Sequence, residues 1–178
     1  MDSYTISLIF IIIFLLIISA FFSGSETALT AASRSRMHQL EKQKNARAKI
    51  VNFLKNQKER LIGTLLLGNN LVNTLATAIA TSFFISFIGD NEKGIIYSTI
   101  TMTLLILIFG EVLPKTIAIN KADKFALLFA PLIKFLVRIF SPITYLIQIF
   151  INNLLKIFGF HISDELYKTE EKLRGAID

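Results

Sequence analysis

The sequence predicts an all-α membrane protein with three transmembrane helices and cytoplasmic juxtamembrane amphipathic helices, and three observations carry that prediction. Apolar residues make up 53% of the 178 positions and charged residues only 18%, against roughly a quarter charged in a soluble domain. The apolar residues gather into runs that exceed the ~20 helical residues needed to cross a hydrocarbon core. The basic residues, which give a formal net charge of +6, fall beside those runs, where they read as cytoplasmic anchors rather than as a nucleic-acid surface. The absence of cysteine excludes disulfide scaffolds, thiolate metal sites and Cys nucleophiles.

The first span is read over residues 4–32. It is almost unbroken from 6 to 22 and runs on through Ser23-Gly24-Ser25-Glu26. A cleaved signal peptide is the competing interpretation, but no Lys or Arg precedes the run, and a signal peptide starts basic. The second span, 61–88, has no charge and carries Asn69, Asn70 and Asn73; the third, 95–119, carries Glu111, Pro114 and Lys115. A short polar turn bracketed by Gly89 and Gly94 joins them. Residues 33–60 hold nine Lys and Arg against Glu41 and Glu59, so this loop is read as cytoplasmic. The N-terminus is then outside and the C-terminus cytoplasmic.

From Lys121 the pattern changes. Residues 121–160 are apolar but punctuated by Pro131, Lys134, Arg138, Pro142, Gln148 and Asn152. The prolines are expected to divide the stretch into a pair of amphipathic helices lying in the interface; a fourth span near 139–155 is the alternative. Residues 1–160 thus form one membrane domain, and the polar stretch 161–178, with Ser163-Asp164-Glu165 as a helix start, reads as the beginning of a linker to an absent cytosolic domain.

Polar groups inside hydrocarbon are expensive, about 2.5–3.5 kcal/mol for a charge at the centre, so each needs a reason. Ser23 lies eleven residues from Arg34, Asn69 nine and Asn73 thirteen from Arg60, and Glu111 ten from Lys121. At about 1.5 Å per residue all four sit roughly 14–20 Å deep, near the midplane. Ser19 and Ser23 are four apart, as are Asn69 and Asn73, so each pair shares a helix face. Pro114 has no N–H to give the Gly110 carbonyl, and Gly24 between serines is expected to let the first helix unwind and release carbonyls inward. Hydroxyls, amide oxygens, carbonyls and a carboxylate, with no His or Cys among them, form a hard-oxygen set suited to magnesium, calcium or sodium. Taken singly, Ser19, Gly24 and Asn70 also suit helix packing. Glu26 is nearer the cytoplasm and is read as a cap, a partner of Lys115 or a vestibule residue, and Lys115 as a neutraliser of a carboxylate or a snorkelling base.

Three segments, residues 19–29 (Ser-Ala-Phe-Phe-Ser-Gly-Ser-Glu-Thr-Ala-Leu), 68–73 (Gly-Asn-Asn-Leu-Val-Asn) and 110–116 (Gly-Glu-Val-Leu-Pro-Lys-Thr), occur in order, one per span. Together they resemble the signature segments of the transmembrane domain of the CNNM and CorC (CorB) magnesium transport proteins, across essentially the whole chain. The resemblance implies a homodimer with one dehydrated magnesium ion per protomer as bound substrate. It further implies export across the plasma membrane, with sodium as counter-ion. Carried over by motif, Ser19, Ser23, Asn69, Asn73 and Glu111 supply side-chain ligands, and Gly24 and Gly110 backbone oxygens or helix distortions. Full-length relatives continue into a CBS-domain region, which is absent here. Two other classes compete: a magnesium-sensing membrane adaptor with the same site but no net flux, and an intramembrane hydrolase using Ser23 with Lys115 as base. Glu111 beside Lys115 would hold that lysine charged, which is the wrong state for a base, and the chain is read as a non-enzyme.

Overall fold

The computed structural model describes residues 3–157, and these are helical almost throughout. In chain order they are α1 (Ser3–Ala31), α2 (Arg34–Lys42), α3 (Ala46–Asn56), α4 (Lys58–Ile88), α5 (Asn91–Leu105), a π-helical segment (Ile106–Val112), α6 (Leu113–Asn120) and α7 (Ala122–Ile157). The polar tail read as a linker, with its Ser163 helix start, lies outside the described residues, as does His161.

Four helical stretches are long and apolar enough to cross a membrane, not three: Thr5–Ala31, Lys58–Ile88, Asn91–Asn120 and Ala122–Leu155. The first three correspond to the expected spans. The fourth corrects the expected pair of short helices, because α7 runs unbroken through Pro131 and Pro142. A proline in a helix interior removes one hydrogen bond and costs about 3 kcal/mol. Here burial of Ala126, Ala130, Ile133 and Val137 on one face of α7 offsets that loss. These residues join the ends of α1, α2, α3 and α4 in one apolar cluster with Leu29, Met37, Val51, Leu54 and Leu61.

α1 is the hub of the unit formed by the residues up to 139, packing on α4, on the π-helical segment and on α6. Its other side is bare: Phe10, Phe14 and Ile17 are 68%, 61% and 62% exposed. Such a contiguous apolar surface belongs against lipid. The turn between α4 and α5 forms as expected. Gly89 ends α4 in the left-handed conformation at φ 73°, and the Asp90 carboxylate caps α5 by accepting the Lys93 N–H at 3.1 Å. Further along the same pair, the Thr81 and Ser98 hydroxyls lie 3.0 Å apart and link α4 to α5.

The loop between the first two spans is not irregular. Ser33 caps α2, and Asn45 caps α3 by accepting from the Arg47 and Ala48 N–H groups. Asn52 ties the two helices by donating to the Glu41 carboxylate at 2.6 Å. At the start of α7, Asp123 accepts the Ser33 N–H at 2.9 Å and pairs with Arg36 at 3.3 Å. Lys134 stands 5.3 Å from the centre of the Phe53 ring, a cation–π contact between α7 and α3. The segment from Phe140 to Ile157 forms a separate unit; within it the buried Thr144 hydroxyl donates to the Ser141 carbonyl at 3.1 Å.

Because α7 is helical on both sides of Pro131, Pro131→Ala supplies the Leu127 carbonyl with its missing N–H. The substitution is expected to stabilise the chain by up to about 3 kcal/mol, read as a higher melting temperature in detergent. A lower melting temperature would show that the helix depends on the proline.

Candidate cation site

The hydroxyl of Ser19 on α1 is fully buried and donates to Oδ1 of Asn69 on α4 at 3.0 Å. The backbone of Gly110, in the π-helical segment, presses on the same hydroxyl: a methyl at position 110 would stand 2.8 Å from Ser19 Oγ. Ser19, Asn69 and Gly110 therefore meet at one level, each from a different span.

The π segment has a physical cause. Pro114 cannot donate to the Gly110 carbonyl and its ring crowds that carbonyl. The helix widens just ahead of it, with Leu113 donating to the Ile108 carbonyl five residues back. Gly110 is buried at the mouth of this widening, and Glu111, the next residue, is half-buried. The widening replaces the expected break in the first helix. α1 is continuous through Gly24, so unwinding there is corrected. A methyl at Gly24 would stand 3.6 Å from Pro114, which is ordinary contact, and Gly24 is buried against α6 without distorting its helix.

The remaining predicted oxygens are placed one turn to either side. Ser23 follows Ser19 by four residues toward the basic loop, and Asn73 follows Asn69 by four residues away from it. Both are polar without partners: Ser23 Oγ and Asn73 Oδ1 are buried and accept or donate no hydrogen bond. An unsatisfied buried polar atom costs about 1–3 kcal/mol. Two more such atoms, Ser25 Oγ and Thr64 Oγ1, escaped sequence reasoning. Thr64 lies in a run read only for its asparagines, and Ser25 in a motif read for Ser19, Ser23, Gly24 and Glu26.

Electrostatically the site is sparse. Among the described residues, Glu111 makes no ion pair or hydrogen bond, and neither Lys115 nor Glu26 pairs with a carboxylate or a base. The neutralising Glu111–Lys115 contact and the Glu26–Lys115 pair are thus not formed. Ser23 is likewise not hydrogen-bonded to Lys115, so no Ser–Lys pair is assembled. No three His, Cys, Asp or Glu side chains gather in the described residues; the groups that meet are the Ser19 hydroxyl, the Asn69 amide oxygen and the Gly110 backbone.

The cyclin M transmembrane N-terminal domain family matches residues 10–178. This chain belongs to that family. A UPF0053 protein of Haemophilus influenzae is 35% identical over 99% of the chain and 42% of its own length. The UPF0053 inner membrane protein YfjD of Escherichia coli is 39% identical over 80% of the chain and 33% of its own length. An Arabidopsis thaliana DUF21 domain-containing protein, described as chloroplastic, is 31% identical over 90% of the chain and 24% of its own length. The chain thus spans well under half the length of these relatives. As a cyclin M membrane domain it is a membrane-spanning helical unit, and segments 19–29, 68–73 and 110–116 fall on α1, α4 and the π-to-α6 region.

The close approach at Gly110 is testable. Gly110→Ala is expected to cost about 1–3 kcal/mol by overpacking, while Gly110→Ala with Ser19→Ala costs less than the two single changes together. Thermal melting of the four proteins in detergent reads the coupling; strict additivity would place Ser19 and Gly110 apart.

Proposed function

We propose that this domain moves magnesium ions across the cell membrane through a midplane oxygen site, in the direction of export and in exchange for sodium. The observation that carries the reading is the meeting of Ser19, Asn69 and Gly110, flanked by the partnerless oxygens of Ser23 and Asn73. Magnesium is the substrate here. It stands at the Ser19–Asn69–Gly110 level, and the Ser19 hydroxyl and Asn69 amide oxygen exchange their mutual hydrogen bond for the ion. The Gly110 carbonyl adds a third oxygen from the widened turn. Ser23 and Asn73 complete the surround from the adjacent turns, and Gly24 keeps α1 close to Pro114. Glu111 supplies the negative charge that makes a divalent ion tolerable at this depth, where an isolated charge costs several kcal/mol.

The ligand chemistry supports a small hard cation, because every donor is oxygen and none is sulfur or imidazole. Helix widening at a membrane midplane is tolerated where it lines a cavity or is buried in protein, and Gly110 fits the second condition. The inner-membrane name of the Escherichia coli relative supports a cell-membrane location. Nine basic residues between 33 and 60 support a cytoplasmic α2–α3. Along α7 the residues Lys134, Arg138, Ser141, Tyr145, Gln148 and Asn152 repeat at steps of three and four, a continuous polar stripe that suits a helix lying in the cytoplasmic interface. The C-terminus is then cytoplasmic, continuing in the full-length protein into a CBS-domain region. Two copies form the working unit, a homodimer in the lipid bilayer, and no nucleic acid is engaged.

Reconstitution into liposomes loaded with a magnesium-sensitive dye tests the function. The parent chain is expected to carry magnesium, and Glu111→Ala to lose at least tenfold of the rate, the equivalent of about 1.4 kcal/mol in binding. Magnesium binding without flux in the parent would replace transport by sensing.

A further inference from the structure

Where α1 leaves the apolar layer, a cavity of about 240 Å³ opens between its last turn, α3 and the first turn of α4. Its floor is apolar, from Leu29, Leu61 and Ile62; its rim is Arg34, Lys55 and Lys58, and no carboxylate lines it. Asp123, whose charge acts on Lys55, is already committed to the Ser33 N–H and Arg36, and the exposed Glu59 stands in the first turn of α4 without lining the cavity. Lys55 donates to the Ala32 carbonyl at the end of α1. Burial, and next the neighbouring Arg34, hold the Lys55 ammonium below its usual range, and Asp123 only partly opposes them. The first turn of α4 also faces this rim: Gln57 gives it no side-chain cap, so its leading N–H groups add to the positive field.

Three under-compensated cations above an apolar floor, at the level where two spanning helices leave the hydrocarbon, match one chemistry. A phosphate group neutralises the rim, and an attached acyl-glycerol body covers the floor. We propose that this crevice binds the headgroup phosphate of an anionic phospholipid. Arg34 and Lys58 grip the phosphate from the exposed side and Lys55 from the inner side. The bound lipid braces the junction of α1 and α4, the two helices that hold Ser19 and Asn69. The proposal does not depend on which ion the midplane site takes.

A phosphate oxygen shared among the three bases is the common chemistry of a lipid headgroup and a free anion, and the experiment separates the two. The purified chain in neutral detergent is titrated with phosphatidylglycerol, phosphatidylcholine or inorganic phosphate and followed by native mass spectrometry. The parent is expected to retain phosphatidylglycerol in preference to phosphatidylcholine. Arg34→Gln and Lys55→Gln are each expected to weaken that retention roughly fivefold, on the scale of one base at an anionic surface. Lys42→Gln with Lys49→Gln, exposed bases outside the cavity, should leave it unchanged. Arg34 is itself exposed, so its variant reads the site even where Lys55→Gln disturbs folding. Equal retention of both lipids, full retention by Arg34→Gln, or inorganic phosphate binding that phosphatidylglycerol does not displace would each overturn the proposal.

Discussion

Hydrocarbon offers no hydrogen-bond partner, and the arrangement of the inner half of this protein follows from that constraint. Each polar side chain on α1 and α4 must find its partner within the protein. Ser19 finds Asn69. Thr77 and Thr81 turn back to carbonyls one turn earlier on their own helix. Ser23, Ser25, Thr64 and Asn73 find none. A sequence that keeps four such groups buried carries a cost that small apolar residues would avoid. The same constraint shapes the third span, where Pro114 forces a wider turn and Gly110 lets that turn touch Ser19.

Much of this was legible in the sequence, because the physics acts through composition and spacing. Long uncharged runs mark α1 and α4, Gly89 and Gly94 bracket the turn between α4 and α5, and four-residue intervals place Ser19 with Ser23 and Asn69 with Asn73 on shared faces. Counting depth from the nearest base put Ser23, Asn69, Asn73 and Glu111 near one level, whereas the contact that forms joins Ser19, Asn69 and Gly110. What escaped was decided by packing between distant segments. Pro131 and Pro142 looked like breaks, yet the buried face of α7 holds the helix together across both. Gly24 looked like a hinge, yet α1 runs straight through it and the distortion falls instead ahead of Pro114. Residues 33–60 were read for charge alone. The buried positions Met37, Ala48, Val51 and Leu54 repeat at helical intervals and would have revealed α2 and α3 as a packed pair.

That pair gives the basic stretch between α1 and α4 a structural role. α2 and α3 pack over the end of α1 and the start of α4 and meet the first half of α7 through Asp123, Phe53 and the shared apolar cluster. The geometry of the midplane site is set by how α1 crosses α4 and the third span. The collar of α2 and α3 packs against the ends of those helices and so helps fix how they cross.

The most direct test of the midplane site is calorimetric titration of magnesium into the purified chain, with Asn73→Ala and Glu111→Gln beside the parent. A cation site built from these oxygens predicts binding by the parent, weaker binding by Asn73→Ala, and none by Glu111→Gln, where the charge is gone but the shape is kept. Binding by Glu111→Gln as tight as the parent's would contradict it, and would leave the convergence of Ser19, Asn69 and Gly110 as helix packing alone.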